Sequence, residues 1–229
     1  MKCLISSILI FVSLPIFADK LAKEHFYSGT NIDTAISRQY HYGKNGNLES
    51  ITQISDESEI RVHYIYKKKQ LTKAEEYNDD IFISRSIFLY REKEKIPYRR
   101  EVYDSFDKLK SYSLFTFESD GKNPVSIETY NDKNELAEQM VFIYSEENSS
   151  ESEKNSSESE RFLSEIRIFD NSEKLILRRR QTVDKNKNAV MEEVIFQDKI
   201  IRIVKRDFIA SRRKNSKVFS LPENFFDFR

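Results

Sequence analysis

The residues best suited to chemistry in this sequence are three histidines, at positions 25, 41 and 63. His41 and His63 lie on neighbouring predicted strands, where two imidazoles and a carboxylate could bind a metal ion. No acidic residue stands at a ligand spacing that separates it from the many carboxylates of the turns. We therefore predict two ordinary strand histidines, no metal site and no cofactor.

Acidic pairs are the next candidates, because a glycosidase needs two carboxyl groups that converge on one bond. The pairs Glu75-Glu76, Asp79-Asp80 and Glu192-Glu193 consist of adjacent residues. Adjacent side chains of a strand point to opposite faces, which prevents convergence within a pair. No serine has a nucleophile-elbow pattern around it, and the four glycines fit turns rather than a phosphate-binding loop. We predict that the protein is not an enzyme.

Two groups of residues could instead form a surface for a ligand or partner. Tyr40, Tyr42, Tyr64 and Tyr66 could stack on a sugar or an extended peptide, although aromatic residues beside turns also pack in cross-strand ladders that fix register. Lys199 to Lys217 is strongly basic, and its arginines could form a docking patch or protect an edge strand from aggregation. The arginines of this second group are Arg202, Arg206, Arg212 and Arg213.

The N-terminus and the charge balance restrict the compartment and the partners. Residues 1–18 have one basic residue, an apolar run and a small residue before Asp19, the pattern of a secretory signal cleaved between Ala18 and Asp19. This apolar run is too short to span a bilayer, and no other window approaches the roughly 20 apolar residues of a transmembrane helix. Lys and Arg total 38 and balance 38 Asp and Glu, so no overall field attracts nucleic acid. We expect an exported protein, periplasmic or secreted, that does not span a membrane.

The residues that must position these side chains follow one rhythm: an aromatic residue and a short polar turn recur about every 13 residues. Between the turns the pattern has a period of two, as in 61–66, where Val62, Tyr64 and Tyr66 share one side. This predicts an all-β, antiparallel β-meander of many short strands in one long twisted or rolled sheet, such as a half-barrel. Clear examples of the turns are Tyr42–Leu48, Tyr103–Leu109, Tyr130–Leu136 and Phe169–Leu175.

Two segments depart from the rhythm. Lys20–Phe26 is the best candidate for a short helix. Ser145–Glu160 is acidic, rich in serine and without apolar residues, which predicts a disordered loop. The period continues on both sides of that loop, so we interpret it as an expanded turn within a single domain, residues 19–229.

The repeat resembles known families. Tyr103-Asp-Ser-Phe-Asp-Lys-Leu109 and Tyr130-Asn-Asp-Lys-Asn-Glu-Leu136 are similar to the tyrosine-aspartate (YD) repeats and MORN-like hairpin arrays of exported bacterial proteins. That resemblance implies a β-meander scaffold without a shared activity. The C-terminal Lys217–Phe226 resembles the ending of periplasmic lipoprotein carriers (LolA-like), which implies an open half-barrel whose apolar concave face holds acyl chains.

The sequence thus favours an exported, soluble, non-enzymatic binding or interaction scaffold of the cell envelope. Its partner is an unknown protein, glycan or lipid. The alternative is a periplasmic carrier of an apolar ligand, a lipoprotein or lipid, in an open β half-barrel.

Overall fold

The computed structural model describes residues 20–28, 37–55, 58–68, 70–92, 94, 96–119, 121, 123–146, 161–184 and 188–209. These residues form fourteen β-strands and no helix. The strands are β1 (Lys20–Ser28), β2 (Ser37–Tyr42), β3 (Leu48–Ile54), β4 (Glu59–Lys67), β5 (Gln70–Asn78), β6 (Ile81–Tyr90), β7 (Pro97–Asp104), β8 (Leu109–Phe117), β9 (Pro124–Asn131), β10 (Leu136–Glu146), β11 (Arg161–Asp170), β12 (Leu175–Val183), β13 (Ala189–Phe196) and β14 (Lys199–Ile209).

The strands form a closed barrel in which each pairs with its neighbours in sequence and β1 pairs with β14. Every pair is antiparallel, which confirms the predicted β-meander. The predicted half-barrel is wrong, because β1 and β14 pair along their length, from Lys20 opposite Ile209 to Ser28 opposite Arg202. Each described strand pairs on both sides, although β1 and β2 pair at only three positions, from Lys23 opposite Gln39 to His25 opposite Ser37.

The predicted helix at Lys20–Phe26 is also wrong, because these residues belong to β1. An isolated helix of two turns is marginal in water. In the barrel, β1 gains ladder hydrogen bonds from β14 on one side and β2 on the other. Alternate residues Glu24 and Phe26 are buried, so a strand satisfies both the backbone and these side chains.

The repeated turns have one construction, which explains the aromatic-aspartate pattern. In the β7–β8 turn, Asp104 Oδ1 accepts hydrogen bonds from the backbone N–H groups of Phe106 and Lys108, at 2.9 and 3.0 Å. Asp107 then adopts a left-handed conformation with φ of 62°. Asn131 and Asp170 repeat these side-chain bonds in the β9–β10 and β11–β12 turns. The residue after the aromatic therefore fixes the turn and with it the register of the hairpin.

The left-handed turn position supports a stability prediction. Glu173 lies in the β11–β12 turn and has φ of 61°. The equivalent residue of the β2–β3 turn is Gly46, with φ of 87°. A side chain at such a φ costs about 1 kcal/mol relative to glycine. We expect Glu173→Gly to raise the free energy of unfolding by up to about 1 kcal/mol and Gly46→Ala to lower it by a similar amount. Urea unfolding of both variants checks this, and a loss of stability in Glu173→Gly or a gain in Gly46→Ala would contradict the turn geometry.

Consecutive turns of a meander lie at alternate ends of the barrel, and the two ends differ. One end carries the turns at 43–47, 68–69, 91–96, 118–123 and 184–188, and we call it the packed end. The aromatic residues that open turns there pack inward against the core. Two of their hydroxyls donate to backbone carbonyls: Tyr90 to Leu71 O at 2.7 Å and Tyr144 to Pro124 O at 3.1 Å.

The opposite end carries the turns at 55–58, 79–80, 105–108, 132–135, 171–174 and 197–198, and we call it the mouth end. Here Tyr77, Tyr103 and Tyr130 donate hydrogen bonds to Glu75, Glu101 and Glu128, each two residues earlier in the same strand. Tyr112 and Tyr130 stack with ring centroids 5.0 Å apart. The aromatic residues that open turns at the packed end therefore fill the barrel, and Tyr77, Tyr103 and Tyr130 cover its wall at the mouth end. Phe196, which also opens a turn at the mouth end, packs against the core.

The apolar core crosses the barrel from β2 to β13, with Ile51 and Ile166 fully buried and Met140 1 % exposed. On the side formed by β10–β12, buried apolar residues such as Ile168 and Leu177 extend toward the mouth end. On the side formed by β4–β9, the large apolar residues lie nearer the packed end. This difference leaves space inside the barrel at the mouth end.

Candidate ligand-binding site

A cavity of about 390 Å³ occupies this space, lined by residues of β4 to β9. Its volume lies within the range of small-molecule sites, roughly 300–1,000 Å³. Val62, Ala74 and Val102 supply apolar surface in the wall. The polar lining includes Glu76, Asn78, Ser84, Ser86, Arg100 and Asp104.

Strand register places two carboxylates in one row near the mouth. Ser84 of β6 lies opposite both Glu76 of β5 and Asp104 of β7. Ser84 Oγ donates to Glu76 Oε2 at 2.8 Å. Asn78 lies one inward position closer to the mouth, and its Oδ1 is buried and accepts no hydrogen bond. Because a buried amide oxygen without a donor is costly, this atom is a natural acceptor for a ligand.

The carboxylate of Asp104 is kept in its charged form. The backbone N–H of Lys108 holds the pKa of Asp104 below its usual value, and the N–H of Phe106 and the ammonium groups of Lys110 and Lys108 add to this. The hydrogen bonds that shape the turn therefore also maintain a negative charge at the mouth.

Arg100 supplies the positive charge deeper in the cavity, where its residue is 8 % exposed. It lies opposite Phe88 of β6 and Ser113 of β8. Its Nη2 donates to Ser113 Oγ at 3.4 Å, and Ser113 in turn bonds Thr129 at 3.0 Å. Ser86, 6 % exposed, adds a hydroxyl at an intermediate depth. The deep part of the cavity is thus rich in hydrogen-bond donors.

A second polar cluster lies where β1 meets its neighbours, and we call it the seam network; it consists of Glu24, Arg38, Arg179, Glu192 and Arg206. Arg206 Nε donates to Glu24 Oε1 at 2.8 Å, and its Nη2 lies 3.4 Å from Glu192 Oε2. Arg179 forms two bonds with Glu192, one of them from Nε at 2.8 Å. Arg38 Nη1 lies 3.7 Å from Glu24 Oε2. All five residues are at most 5 % exposed.

Tyr40 completes the seam network, because its hydroxyl donates to Glu24 Oε2 at 2.7 Å. Burial raises the pKa of Tyr40 well above its usual value, and the Glu24 carboxylate raises it further. Burial lowers the pKa of Arg206, although the carboxylates of Glu24 and Glu192 oppose this. The charges are directed at one another inside the barrel, so we assign this cluster to barrel closure and not to ligand binding.

The tyrosines of the predicted surface do not form a surface patch. Tyr40 and Tyr64 are 6 % and 7 % exposed and belong to the core, while Tyr42 and Tyr66 are half-buried against it. They lie on the inner side of the barrel wall, so a sugar or peptide could stack on them only from inside the barrel. This position agrees with the alternative interpretation, packing that accompanies the turns.

The arginines of the predicted basic patch are also separated. Arg206 is buried in the seam network, so it cannot belong to an external patch. The guanidinium of Arg202 lies 5.9 Å from the ring centroid of Phe26. Arg212, Arg213 and the predicted cleavage position at Ala18 and Asp19 lie outside the described residues. Of the acidic segment, Ser145 and Glu146 continue β10, and residues 147–160 lie outside the described residues as well.

His41 and His63 both lie opposite Ser50 of β3, and His63 contacts the Tyr77 ring edge-on at a centroid distance of 5.7 Å. His25 Nε2 lies 3.1 Å from Asp207 Oδ2. Among the described residues, no three or more His, Cys, Asp or Glu side chains form a group that could hold a metal ion.

Sequence reasoning missed the cavity residues, although it correctly separated the members of one acidic pair. Glu75 points outward to Lys73, at 2.6 Å, while Glu76 points into the cavity. The signal that could have revealed the cavity is the pair Ser84 and Ser86, two small polar residues on the inner side of a strand. Small polar side chains at adjoining inward positions leave space that large apolar residues would fill.

Comparisons with known proteins give no family for this chain. No protein-family model matches it, and no curated protein matches it. Among solved structures, it is similar to a porin-like protein from Bacteroides uniformis ATCC 8492, with 11 % identity and a TM-score of 0.48 over 82 % of this chain and 96 % of that one. A porin-like protein from Bacteroides vulgatus ATCC 8482 has 8 % identity and a TM-score of 0.48 over 84 % of this chain and 99 % of that one. Within the described residues there is no helix long and apolar enough to cross a membrane.

Proposed function

We propose that the chain is an exported, non-enzymatic binding protein that holds a small polar ligand in the cavity at the mouth end of its barrel. The observation that carries this proposal is the cavity itself, about 390 Å³, with buried polar side chains in its wall. Such a site joins apolar surface with a few convergent polar groups, as small-molecule sites do. Export rests on the signal-like residues 1–18.

Passage of a solute through the barrel is not part of the proposal. The core residues Ile51, Met140 and Ile166 fill the interior, and inward aromatic residues pack behind them toward the packed end. Because protein cores are close-packed, a solute that enters at the mouth would stop in the cavity. This supports binding rather than conduction.

We also propose that the barrel is not embedded in a bilayer. Its outer wall carries ion pairs between side chains two residues apart in one strand, such as Arg99 with Glu101 at 2.8 Å and Arg167 with Glu165 at 2.6 Å. An arginine facing lipid at the bilayer midplane costs about 2–4 kcal/mol. A wall with many such charges suits contact with water.

The carrier of an apolar ligand has less support. It requires an empty apolar concavity, whereas the apolar inward residues here pack against one another. Catalysis also lacks support at the cavity, since Asp104 is engaged by its turn and Glu76 by Ser84. Neither carboxylate is held beside a histidine in the lining.

The experiment fills the cavity with a bulky side chain. Isothermal titration would measure binding of a panel of sugars, amines, carboxylates, amino acids and short peptides to the wild type, Ser86→Trp and Ser111→Trp. The control is Thr116→Trp, an exposed residue of β8, the same strand as Ser111. We expect at least one class to bind the wild type and the control and to bind both cavity variants at least tenfold more weakly.

Circular dichroism would verify that the variants fold. If no class binds the wild type, or if binding survives in both folded cavity variants, the proposal is wrong. Ser111 is only half-buried, so Ser111→Trp tests the same cavity with less risk of overpacking than Ser86→Trp.

A further inference from the structure

Exposed apolar side chains are concentrated at the mouth end of the barrel. In the described part of the chain, nine large apolar residues are exposed, and seven of them lie at this end. The seven are Ile54, Ile81, Ile83, Phe106, Leu175, Ile200 and Ile201. The other two, Ile65 and Val125, lie toward the packed end on β4 and β9. Single exposed apolar residues are ordinary, but their concentration at one end of a protein indicates an interaction surface.

Phe106 is the clearest of these residues, since it is 90 % exposed at the tip of the β7–β8 turn. The turn does not require an aromatic residue there. Lys133 and Ser172 occupy the same position in the β9–β10 and β11–β12 turns, and their backbone N–H groups donate the same bond to the first side chain of the turn. A phenyl ring at this position stabilises nothing in the isolated barrel, whereas its burial against a partner would be favourable.

Two residues of β6 extend the apolar surface beside Phe106. Arg85 of β6 pairs with Asp107 of the turn at 3.1 Å, which holds the turn next to that strand. Ile81, 68 % exposed, begins β6 at the mouth, and Ile83 lies in the cavity lining. We call Ile81, Ile83 and Phe106 the apolar rim.

A second group of exposed apolar residues lies across the mouth from the apolar rim. Leu175 begins β12, and Ile200 and Ile201 are near the start of β14. In a closed barrel of fourteen strands, β6 is seven positions from β13 and therefore faces it. A small solute cannot contact both groups, whereas a polypeptide segment laid across the mouth can.

The turns around these two groups are acidic. The described residues of the mouth-end turns include seven acidic residues and three lysines, a net charge of −4. The acidic residues are Asp79, Asp80, Asp107, Asp132, Glu135, Glu173 and Asp198. Asp80, Asp107 and Asp198 contact arginines of the outer wall, but their side chains are 87, 65 and 90 % exposed, so the cations of a partner can reach them. A negative surface around apolar residues is complementary to a basic, apolar partner.

We propose that the mouth end is a docking surface for a polypeptide segment that carries both basic and apolar side chains. Its apolar side chains cover the apolar rim and the group on β12 and β14, and its basic side chains lie at the acidic turns. A second copy of the chain that presented its own mouth would bring charges of the same sign together, as would an anionic bilayer. This inference goes beyond the proposed function, because it concerns the rim and requires no ligand in the cavity.

Fluorescence anisotropy with labelled peptides tests this docking on the full-length protein. The probe is a twelve-residue peptide, Lys-Phe-Gly-Ser repeated three times. One comparison peptide has Glu in place of Lys, and another has Ser in place of Phe. We expect the probe to bind at least tenfold more tightly than either comparison peptide. Its affinity should fall at least tenfold when the salt concentration rises from about 50 to 500 mM, because salt screens exposed charges.

Protein variants locate the contact. Phe106→Ser combined with Ile81→Ser, the rim variant, should weaken binding of the probe at least tenfold. The matched control is Val125→Ser, a similarly exposed residue toward the packed end, which should leave the affinity unchanged. Ser111→Trp, which fills the cavity, should also leave it unchanged. The rim and control positions are exposed, so these variants should fold, and circular dichroism verifies this.

The docking proposal is wrong if the probe does not bind, or if it binds the rim variant as tightly as the wild type. Loss of binding in Ser111→Trp would place the peptide inside the cavity and would also overturn docking on the rim. Failure of the small-ligand titration, by contrast, would leave this proposal intact.

Two further measurements test other occupants of the apolar rim. Sedimentation of the wild type, but not the rim variant, with phosphatidylcholine vesicles would assign the rim to a bilayer. Self-association of the wild type that the rim variant lacks would assign it to a second copy of the chain. Either result would overturn docking of a basic polypeptide.

Discussion

Replacing Glu24 by glutamine is expected to lower the free energy of unfolding by about 3–5 kcal/mol, the usual cost of removing one partner of a buried ion pair. The side chain keeps its volume, so the variant changes charge and hydrogen bonding with little change in packing. Glu24 accepts bonds from Arg206 Nε at 2.8 Å and the Tyr40 hydroxyl at 2.7 Å. Arg38 Nη1 lies 3.7 Å from it.

The size of the effect follows from the charge balance of the seam network. Three arginines there face two carboxylates, Glu24 and Glu192, and all are buried. Without Glu24, the seam network keeps one carboxylate, Glu192, beside three buried guanidinium groups. Arg206 would lose its bond to Glu24 while its contact with Glu192, at 3.4 Å, and its bond to the Ala189 carbonyl, at 3.2 Å, remain. The ladder between β1 and β14 would then carry more buried positive charge.

Guanidinium chloride unfolding at neutral pH measures this effect. The matched control is Asp198→Asn, which removes the exposed partner of Arg178, since Asp198 has 90 % of its side chain exposed. Exposed ion pairs contribute about 0–1 kcal/mol, so the control should be nearly neutral. A loss below about 1 kcal/mol for Glu24→Gln would mean that water reaches the seam network and that burial does not set its energetics.

Truncation of Ile166 to alanine has the second largest expected effect, a loss of about 2–5 kcal/mol in the free energy of unfolding. Ile166 is 0 % exposed and lies on β11 opposite Phe142 of β10 and Arg179 of β12. Neighbouring strands are held by ladders on both sides, so the barrel can collapse only slightly around the lost methyl and methylene groups. The cavity that remains destabilises the protein further, beyond the transfer free energy lost with the removed groups.

The control is Ile65→Ala on β4, where the isoleucine is 38 % exposed. Its truncation removes less buried area, and we expect a loss below about 1 kcal/mol. The two variants should be compared by urea unfolding under the same conditions. Equal losses would contradict the close packing of Ile166 in the interior of the barrel.

The strands and turns were predictable from the sequence because their cause is local. Asp104, Asn131 and Asp170 each follow an aromatic residue and fix a turn with bonds to residues two and four positions later. Closure was not predictable in this way. It depends on bonds such as that between Glu24 and Arg206, 182 positions apart, and the short segment around Glu24 has no local pattern that distinguishes a strand from a helix.

The cavity was hidden for a different reason. Glu76 and Asp104 are two among many carboxylates near turns, and only strand register places them in one row. A register shift next to Glu76 also changes which residues of β5 and β6 face inward. Arg100 follows Arg99 directly, and the sequence alone does not say which of the two points inward.

The pairing of β1 with β14 also predicts an order of folding. Hairpins such as β7–β8 join residues a few positions apart and close in microseconds. The β1–β14 ladder must instead close a loop of nearly the whole described chain, so its contacts join residues far apart in sequence. We expect this ladder to form slowly and last. Until then both strands present open edges that pair readily with other chains. Refolding yield should therefore fall as protein concentration rises, because the pairing of β1 with β14 competes with strand pairing between different chains.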